Sequence, residues 1–223
     1  MEQLVVIILA YLFGGIPTAY LAARVQSGID LRRHGTGNVG ASNYIRQIGL
    51  RSGLAVGLFD GFVKGTLPIV LAKLFGLSLG YQAAVGLATV VGHNWSPYIR
   101  FTGGRGVATA MGAYVGFGLW QQLLMGSVVV GVVGWLLLRN LALWMIIGMT
   151  ATIPLSIWLR QPREATWLLT GLLLLVLIKR LTSNWEKPMA NSGHVRLFLY
   201  RLAYDRDVAR RDAWLSKKAE NTD

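Results

Sequence analysis

Two short loops hold the residues best suited to chemistry. Residues 32–46, RRHGTGNVGASNYIR, combine three arginines, three glycines and two asparagines. Residues 92–113, GHNWSPYIRFTGGRGVATAMGA, again join glycine to a cation in Gly103-Gly104-Arg105-Gly106, just before an uncharged helical stretch. Glycine lets backbone N–H groups approach an anion, and arginine offers a forked contact to its oxygens. A helix beginning directly after such a loop adds its own positive end. One such loop is equally well read as a tight turn whose arginines anchor lipid headgroups. Two on one predicted face favour a shared anion site. Its candidate residues are Thr36, Gly37, Asn38, Ser42, Asn43 and Arg46 in the first loop, with Gly103, Gly104 and Arg105 in the second.

The other candidates lie in apolar surroundings. Asp60 and Lys64 are four residues apart inside a predicted span, hence on one helix face. Charges at such depth are costly and point to function, or to a mutually neutralised pair that fixes helix packing. His93 fits a general base, and fits better a hydrogen-bonding scaffold for the second loop. Gly35-x-Gly37-x-x-Gly40 matches a dinucleotide fingerprint in form only, because no βαβ unit fits between two membrane helices. Neither metal-ligand spacing nor a serine–histidine–acid arrangement stands out, so no metal or cofactor is expected. The His-x4-Asp acyltransferase pattern is also absent, since Val39, Tyr98 and Leu199 follow the three histidines at that spacing.

Composition defines what must position these loops. The 223 residues are 53% hydrophobic and 14% charged, against roughly a quarter charged in soluble domains. The 27 glycines suit close helix approach in lipid. Absence of cysteine excludes disulfides and thiolate metal sites. The net charge of +12 lies beside apolar spans, which assigns it to membrane orientation and anionic lipid or substrate rather than nucleic acid.

The sequence predicts an all-α polytopic membrane protein with seven spans, near residues 4–23, 53–72, 79–99, 107–120, 123–138, 140–159 and 165–181. Residues 4–23 lack a basic leader and reach spanning length, which reads as a retained helix. Residues 107–138 would make a helix of roughly 48 Å, too long for one crossing, and Trp120-Gln121-Gln122 is the natural break. With the N-terminus outside, eighteen of the 22 Lys and Arg fall on the cytoplasmic side, including both glycine-rich loops and the C-terminus. Only Lys73, Arg160 and Arg163 fall outside, and Lys64 stays within a span. A membrane domain over 1–181 is followed by a basic cytoplasmic tail, 182–223. There, Val195, Phe198, Leu199 and Leu202 recur at helical spacing, as in an amphipathic helix lying on lipid.

The stretches GGIPTAYLAA (14–23), DLRRHGTGNVGASNYIRQIG (30–49), FDGFVKG (59–65) and VVGHNWSPYIRFTGGRGVAT (91–109) resemble the bacterial acyl-phosphate:glycerol-3-phosphate acyltransferases. The resemblance covers residues 1 to about 181. It implies a multi-pass enzyme of the bacterial plasma membrane, with its active-site loops cytoplasmic. It further implies acyl transfer from acyl phosphate to the sn-1 hydroxyl of glycerol 3-phosphate, giving lysophosphatidic acid without metal, cofactor or acyl-enzyme. On this resemblance Arg46, Arg105 and His93 take the catalytic roles. Thr36, Gly37, Asn38, Ser42, Asn43, Asp60, Lys64, Gly103 and Gly104 bind substrate. An acyl phosphate is already activated, so holding two anions and orienting a hydroxyl is most of the task.

The chain departs from the family pattern at four places. Arg105 stands where lysine is usual, and the fork is not interchangeable with a point charge. Gly14-Gly15-Ile16-Pro17 replaces Gly-Ser-Ile-Pro. Arg139-Asn140-Leu141-Ala142 and Lys179-Arg180-Leu181-Thr182 replace Arg-Tyr-x-Ser and His-Arg-x-Asn, altering positions 142 and 182. These last two changes leave a second reading, a homologue that binds acyl phosphate or phospholipid without turnover.

Overall fold

The computed structural model describes residues 2–185, 193–210 and 214. Ten helices account for most of them. Helix α1 (Glu2–Gly15) and helix α2 (Thr18–Ser27) form a broken pair rather than the single span expected over 4–23. Pro17 cannot donate a backbone hydrogen bond, and the chain bends across Ile16-Pro17. A short helix α3 (Ala41–Gln47) then leads into α4 (Leu50–Leu74). The middle of α4, Phe59–Thr66, widens into π-helical turns, a rare geometry that is enriched at functional sites.

Helix α5 (Leu79–Asn94) ends before the expected residue 99 and gives way to a 3-10 turn over Pro97–Ile99. After the second glycine-rich loop comes α6 (Val107–Phe117), then α7 (Trp120–Leu137). The break between them falls at Gly118-Leu119, just ahead of Trp120-Gln121-Gln122, which starts the next helix instead. Helices α8 (Leu141–Trp158) and α9 (Arg163–Thr182) complete the bundle. Among the described residues, five helical segments are long and apolar enough to cross a membrane: the α1–α2 pair, α4, α7, α8 and α9. Helices α5 and α6 are shorter, at 16 and 11 residues.

Helix α5 is the central strut. It packs on α1, on the second half of α4 and on α9, and its Val85, Val90 and Ala83 share one core with Leu168, Leu169 and Leu172 of α9. Helix α6 lies against the π-helical part of α4 with almost no side-chain volume between them. A Cβ on Gly112 would collide with the Gly61 carbonyl, so this crossing requires glycine. Outward faces carry Leu4, Ile8, Leu54, Phe62, Leu124 and Leu174 in the open. Such extensive exposed apolar surface is a lipid-facing surface.

The C-terminal helix α10 (His194–Tyr204) rests on α8 and α9, burying Leu197 and Arg201. The stripe expected to touch lipid, Val195, Phe198 and Leu199, points away from the bundle and is exposed, with Leu202 half-buried. Residues 186–192, 211–213 and 215–223 of the tail lie outside the described residues.

Candidate active site

The first loop is shaped by an acid before it and an amide behind it. Asp30 receives both Arg32 Nε (3.0 Å) and Arg32 Nη2 (2.7 Å), as well as the Arg32 backbone N–H. Arg24 approaches the same carboxylate at 3.4 Å, and both guanidinium groups stack on Tyr20. The Arg32 hydrogen bond holds the Asp30 carboxyl below its ordinary pKa, against the opposing effect of burial. Asn43 is fully buried and sits at the centre of the loop. Its amide nitrogen donates to the carbonyls of Leu31, His34 and Asn38, and its oxygen accepts the Thr36 N–H. Asn43, expected to bind substrate, therefore has its amide spent on shaping the loop.

The second loop is bound to the first and to the end of α9. The Val39 N–H donates to the Gly103 carbonyl at 3.4 Å. Asn184 makes a two-way contact with Gly103, accepting its N–H (3.1 Å) and donating to its carbonyl (3.2 Å). Gly104 donates to the His93 carbonyl at 3.1 Å, and a Cβ there would strike the His93 ring, so no other residue fits above that imidazole. The buried Lys179 ammonium donates to the Asn94 carbonyl and to Asn184 Oδ1, which fixes Asn184 from the other side. The two loops, sixty residues apart in the chain, thus form one surface.

Behind that surface lies a buried charged group. Lys64 Nζ lies 2.6 Å from Asp60 Oδ1 and donates to Thr18 Oγ1 (2.6 Å) and to the Ile16 carbonyl (2.5 Å). An ammonium has three donors, and these three acceptors use them all. Thr18 in turn donates to Asp60 at 2.5 Å. His93 Nδ1 is 3.9 Å from Asp60 Oδ2, beyond hydrogen-bond range. Asp60, Lys64 and His93 are therefore neighbours, as their candidacy required, but they support the loops from beneath. Lys64 and His93 line a small void closed by Gly103, separate from the main cleft.

That cleft has a volume of about 840 Å³. Thr36, Asn38, Ser42 and Arg46 of the first loop line it together with Arg105 of the second. Gly37 and Gly103 lie at the turn and the seam that bring these side chains together. The far wall comes from residues 139–142 and from Tyr204, Asp205 and Arg206 of the tail. Residues Thr18, Asn184 and Asp205 carry site contacts that sequence reasoning did not single out, and Lys179 entered only as the first residue of an altered motif. Thr18 had a signal too, as the hydroxyl directly after the helix-breaking proline. A second, apolar hollow of about 230 Å³ runs between α6, α7 and α8, beginning at Val107, two residues after Arg105. It continues along Ala110, Met111 and Tyr114, one face of α6, toward Met149 and Thr152.

A helical membrane bundle with an arginine-lined polar cleft and, two residues further along the chain, the start of an apolar groove has the parts of an integral membrane protein that handles lipid phosphates. The comparisons with known proteins narrow this. A family model described as glycerol-3-phosphate acyltransferase matches residues 4–191, and the chain belongs to that family. It is 36% identical over 220 residues to glycerol-3-phosphate acyltransferase 4 of Dehalococcoides mccartyi, covering 96% of this chain and 93% of that one. It is 37% identical over 200 residues to the glycerol-3-phosphate acyltransferase of Thermus thermophilus, covering 85% of this chain and 96% of the relative. Among solved structures it is similar to PlsY (YgiH), an integral membrane glycerol 3-phosphate acyltransferase, in its glycerol 3-phosphate form. There the TM-score is 0.72 at 31% identity, over 81% of this chain and 88% of PlsY. The lysophosphatidic acid form of PlsY gives a TM-score of 0.70 at 28% identity.

The Asp30 clamp yields a prediction with a defined pH dependence. A carboxyl whose pKa is lowered on folding stabilises the fold above the unfolded value of about 3.9 and loses that contribution as pH falls through the folded value. Asp30→Asn should therefore lower the melting midpoint in detergent by about 3 °C. The difference from wild type should stay constant between about pH 8 and about pH 5 and shrink only in stronger acid. A gap that closes already by about pH 6 would assign the effect to another group.

Proposed function

We propose that this protein transfers an acyl group from acyl phosphate to the sn-1 hydroxyl of glycerol 3-phosphate, producing lysophosphatidic acid and inorganic phosphate for phospholipid biosynthesis. The observation that carries this reading is the seam between Val39 and Gly103, which turns Arg46 and Arg105 into one cleft. The hydroxyl oxygen bonds to the acyl carbon while the bond from that carbon to the phosphate oxygen breaks. The hydroxyl proton passes to a phosphate oxygen, so no protein base is needed. Arg46 and Arg105 hold the two phosphates and offset the charge that grows on the leaving group. Thr36, Asn38 and Ser42 orient the acceptor, which converts an encounter in solution into a positioned reaction. Gly104 and His93 form the floor on which Arg105 stands, and Asp60 and Lys64 fix that floor. The apolar hollow along α6 receives the acyl chain, whose activated end then lies beside Arg105.

We further assign seven membrane crossings, with α5 and α6 as the two short ones, in the plasma membrane of a bacterium. The N-terminus lies outside, and the cleft opens to the cytoplasm, where soluble glycerol 3-phosphate arrives. Residues 1–181 form the membrane unit, and residues 182–223 form a basic cytoplasmic tail.

Three tests address these assignments. Arg46→Ala and Arg105→Ala should each lower turnover of acyl phosphate and radiolabelled glycerol 3-phosphate by about a hundredfold or more, with normal accumulation in membranes. Arg105→Lys should keep part of the activity. Near-normal product from both alanine variants would remove the cleft from the reaction. The hollow is open at Gly131, where a Cβ meets nothing within 4 Å. Gly131→Phe should therefore shift preference toward shorter acyl phosphates with little loss of assembly, and an unchanged chain-length profile would place the acyl chain elsewhere. Orientation is accessible because the chain has no cysteine. An impermeant maleimide should label Arg33→Cys only in inside-out vesicles and Arg160→Cys only in right-side-out ones, and the reverse pattern would invert the topology.

A further inference from the structure

The C-terminal segment enters the cleft at one residue, and the contacts there are specific. Arg105 Nε lies 2.9 Å and 3.1 Å from the two carboxylate oxygens of Asp205, while Arg105 Nη1 donates to the Lys179 carbonyl at 3.3 Å. Two protein acceptors on adjacent edges fix the plane of the guanidinium. Asp205 lies beyond residue 191, where the match to the family model ends. It is also the one acid among four arginines, Arg46, Arg105, Arg139 and Arg206, on the described walls of the cleft.

The segment that carries Asp205 is firmly attached at two of the four places where this chain departs from the family pattern, residues 139–142 and 179–182. Arg180 donates to the Ala142 carbonyl (2.7 Å) and to the Leu202 carbonyl (2.8 Å), bridging α8, α9 and α10 with one side chain. Arg201 donates to the Leu181 carbonyl (2.7 Å) and pairs with Asp207 at 2.7 Å. Asp205 itself stands just past the end of α10 with a left-handed φ of 54°, its N–H bound to the Arg201 carbonyl. Aspartate tolerates that backbone better than most side chains do. Its carboxylate is only 29% exposed, and its position is set by the end of a docked helix rather than by a wandering chain.

We propose that Asp205 is a positioning residue for Arg105, so that the C-terminal segment forms part of the phosphate site. A lysine ammonium has no plane and needs no orienting partner, but a guanidinium presents its fork correctly in one orientation only. Asp205 takes the Nε edge and the Lys179 carbonyl takes Nη1, which aims the group from the protein side. A carboxylate that imitated substrate would instead take the terminal Nη1–Nη2 edge. This inference rests on the acyl-transfer reading for its kinetic consequence and on Arg105 as an anion ligand for its binding consequence.

The test uses the full-length protein in detergent with two readouts, acyl transfer from palmitoyl phosphate and calorimetric binding of inorganic phosphate. Asp205→Asn should lower kcat/KM and phosphate affinity by about tenfold, a usual size for coupling between contacting residues. Asp205→Glu should recover part of both. In an Arg105→Lys background, Asp205→Asn should change either quantity less than twofold. Equal losses in the two backgrounds would make Asp205 a structural residue only, and unchanged kinetics and binding in the wild-type background would remove any role. Tighter binding or a lower KM after Asp205→Asn would make it a competitor of substrate, which also overturns the proposal. If Asp205→Asn does not stay monodisperse, the same comparison is made with Asp205→Glu, whose displaced carboxylate must still matter with Arg105 and not with lysine. Wild-type protein that forms no lysophosphatidic acid would refute the acyl-transfer reading, while the phosphate measurement would still decide on Asp205.

Discussion

The Lys64 ammonium is the interaction on which the remaining geometry depends. A chain within lipid must satisfy every backbone carbonyl internally, and at the bend after α1 the Ile16 carbonyl has the Thr18 N–H, at 2.9 Å, in place of a helical partner. Lys64 reaches it from α4 and at the same time engages Asp60 and Thr18. One buried charge thus adds a second donor at the bend and joins the broken first helix to α4. Asp60 neutralises the ammonium, so neither charge is left unpaired at membrane depth. The π-helical stretch that carries the pair also brings Gly61 and Gly65 against α6, which sets where the second loop can begin. The bend at Ile16-Pro17 and the stretch of α4 beneath the second loop are therefore anchored to a cation that does not face the cleft.

Above that anchor, the site is assembled at helix ends. The last carbonyls of a helix have no internal donors and carry partial negative charge. At the end of α9 the Leu181 carbonyl accepts from Arg201, and the Lys179 carbonyl, which also takes the Ser183 N–H and the Thr182 hydroxyl, accepts from Arg105. At the start of α6 the opposite end of a helix dipole sits beside Arg105. Cations thus have two structural tasks here, closing helix termini and leaving a positive surface for phosphate. The same guanidinium of Arg105 performs both. An arginine suits that combination because its several donors point in fixed, different directions, whereas those of lysine converge on a single atom.

Much of this was legible in the sequence where local chemistry dictated it. The glycine–arginine loops, the Asp60–Lys64 pairing and the helical tail all follow from residue type and short spacing, and the structure has each of them. What the sequence left hidden depends on distance through space. Asn43 reads as a polar residue in a binding loop, yet its four hydrogen bonds show it shaping the loop, because only the folded loop brings three carbonyls to one amide. Pro17 was visible as a helix breaker, but an apolar run of spanning length masked the break. Asn184 and Asp205 carried no signal, since their partners, Gly103 and Arg105, are 81 and 100 residues away.

The family departures acquire a physical meaning when they are placed in space. At positions 142 and 182 this chain lacks the serine and asparagine of the family pattern, and the polar contacts they could make are not simply lost. The Ala142 carbonyl is met by Arg180, and Asn184, two residues beyond Thr182, reaches Gly103. Arg180 also fastens Leu202, so the backbone of residue 142 and the tail are held by one side chain. A wall held by hydrogen bonds to backbone carbonyls keeps its position when a substrate binds, which limits the freedom lost on binding. The far wall of this chain is thus held to the tail through one arginine. In that arrangement, Arg105 gains an acidic partner for which a lysine would have had little need.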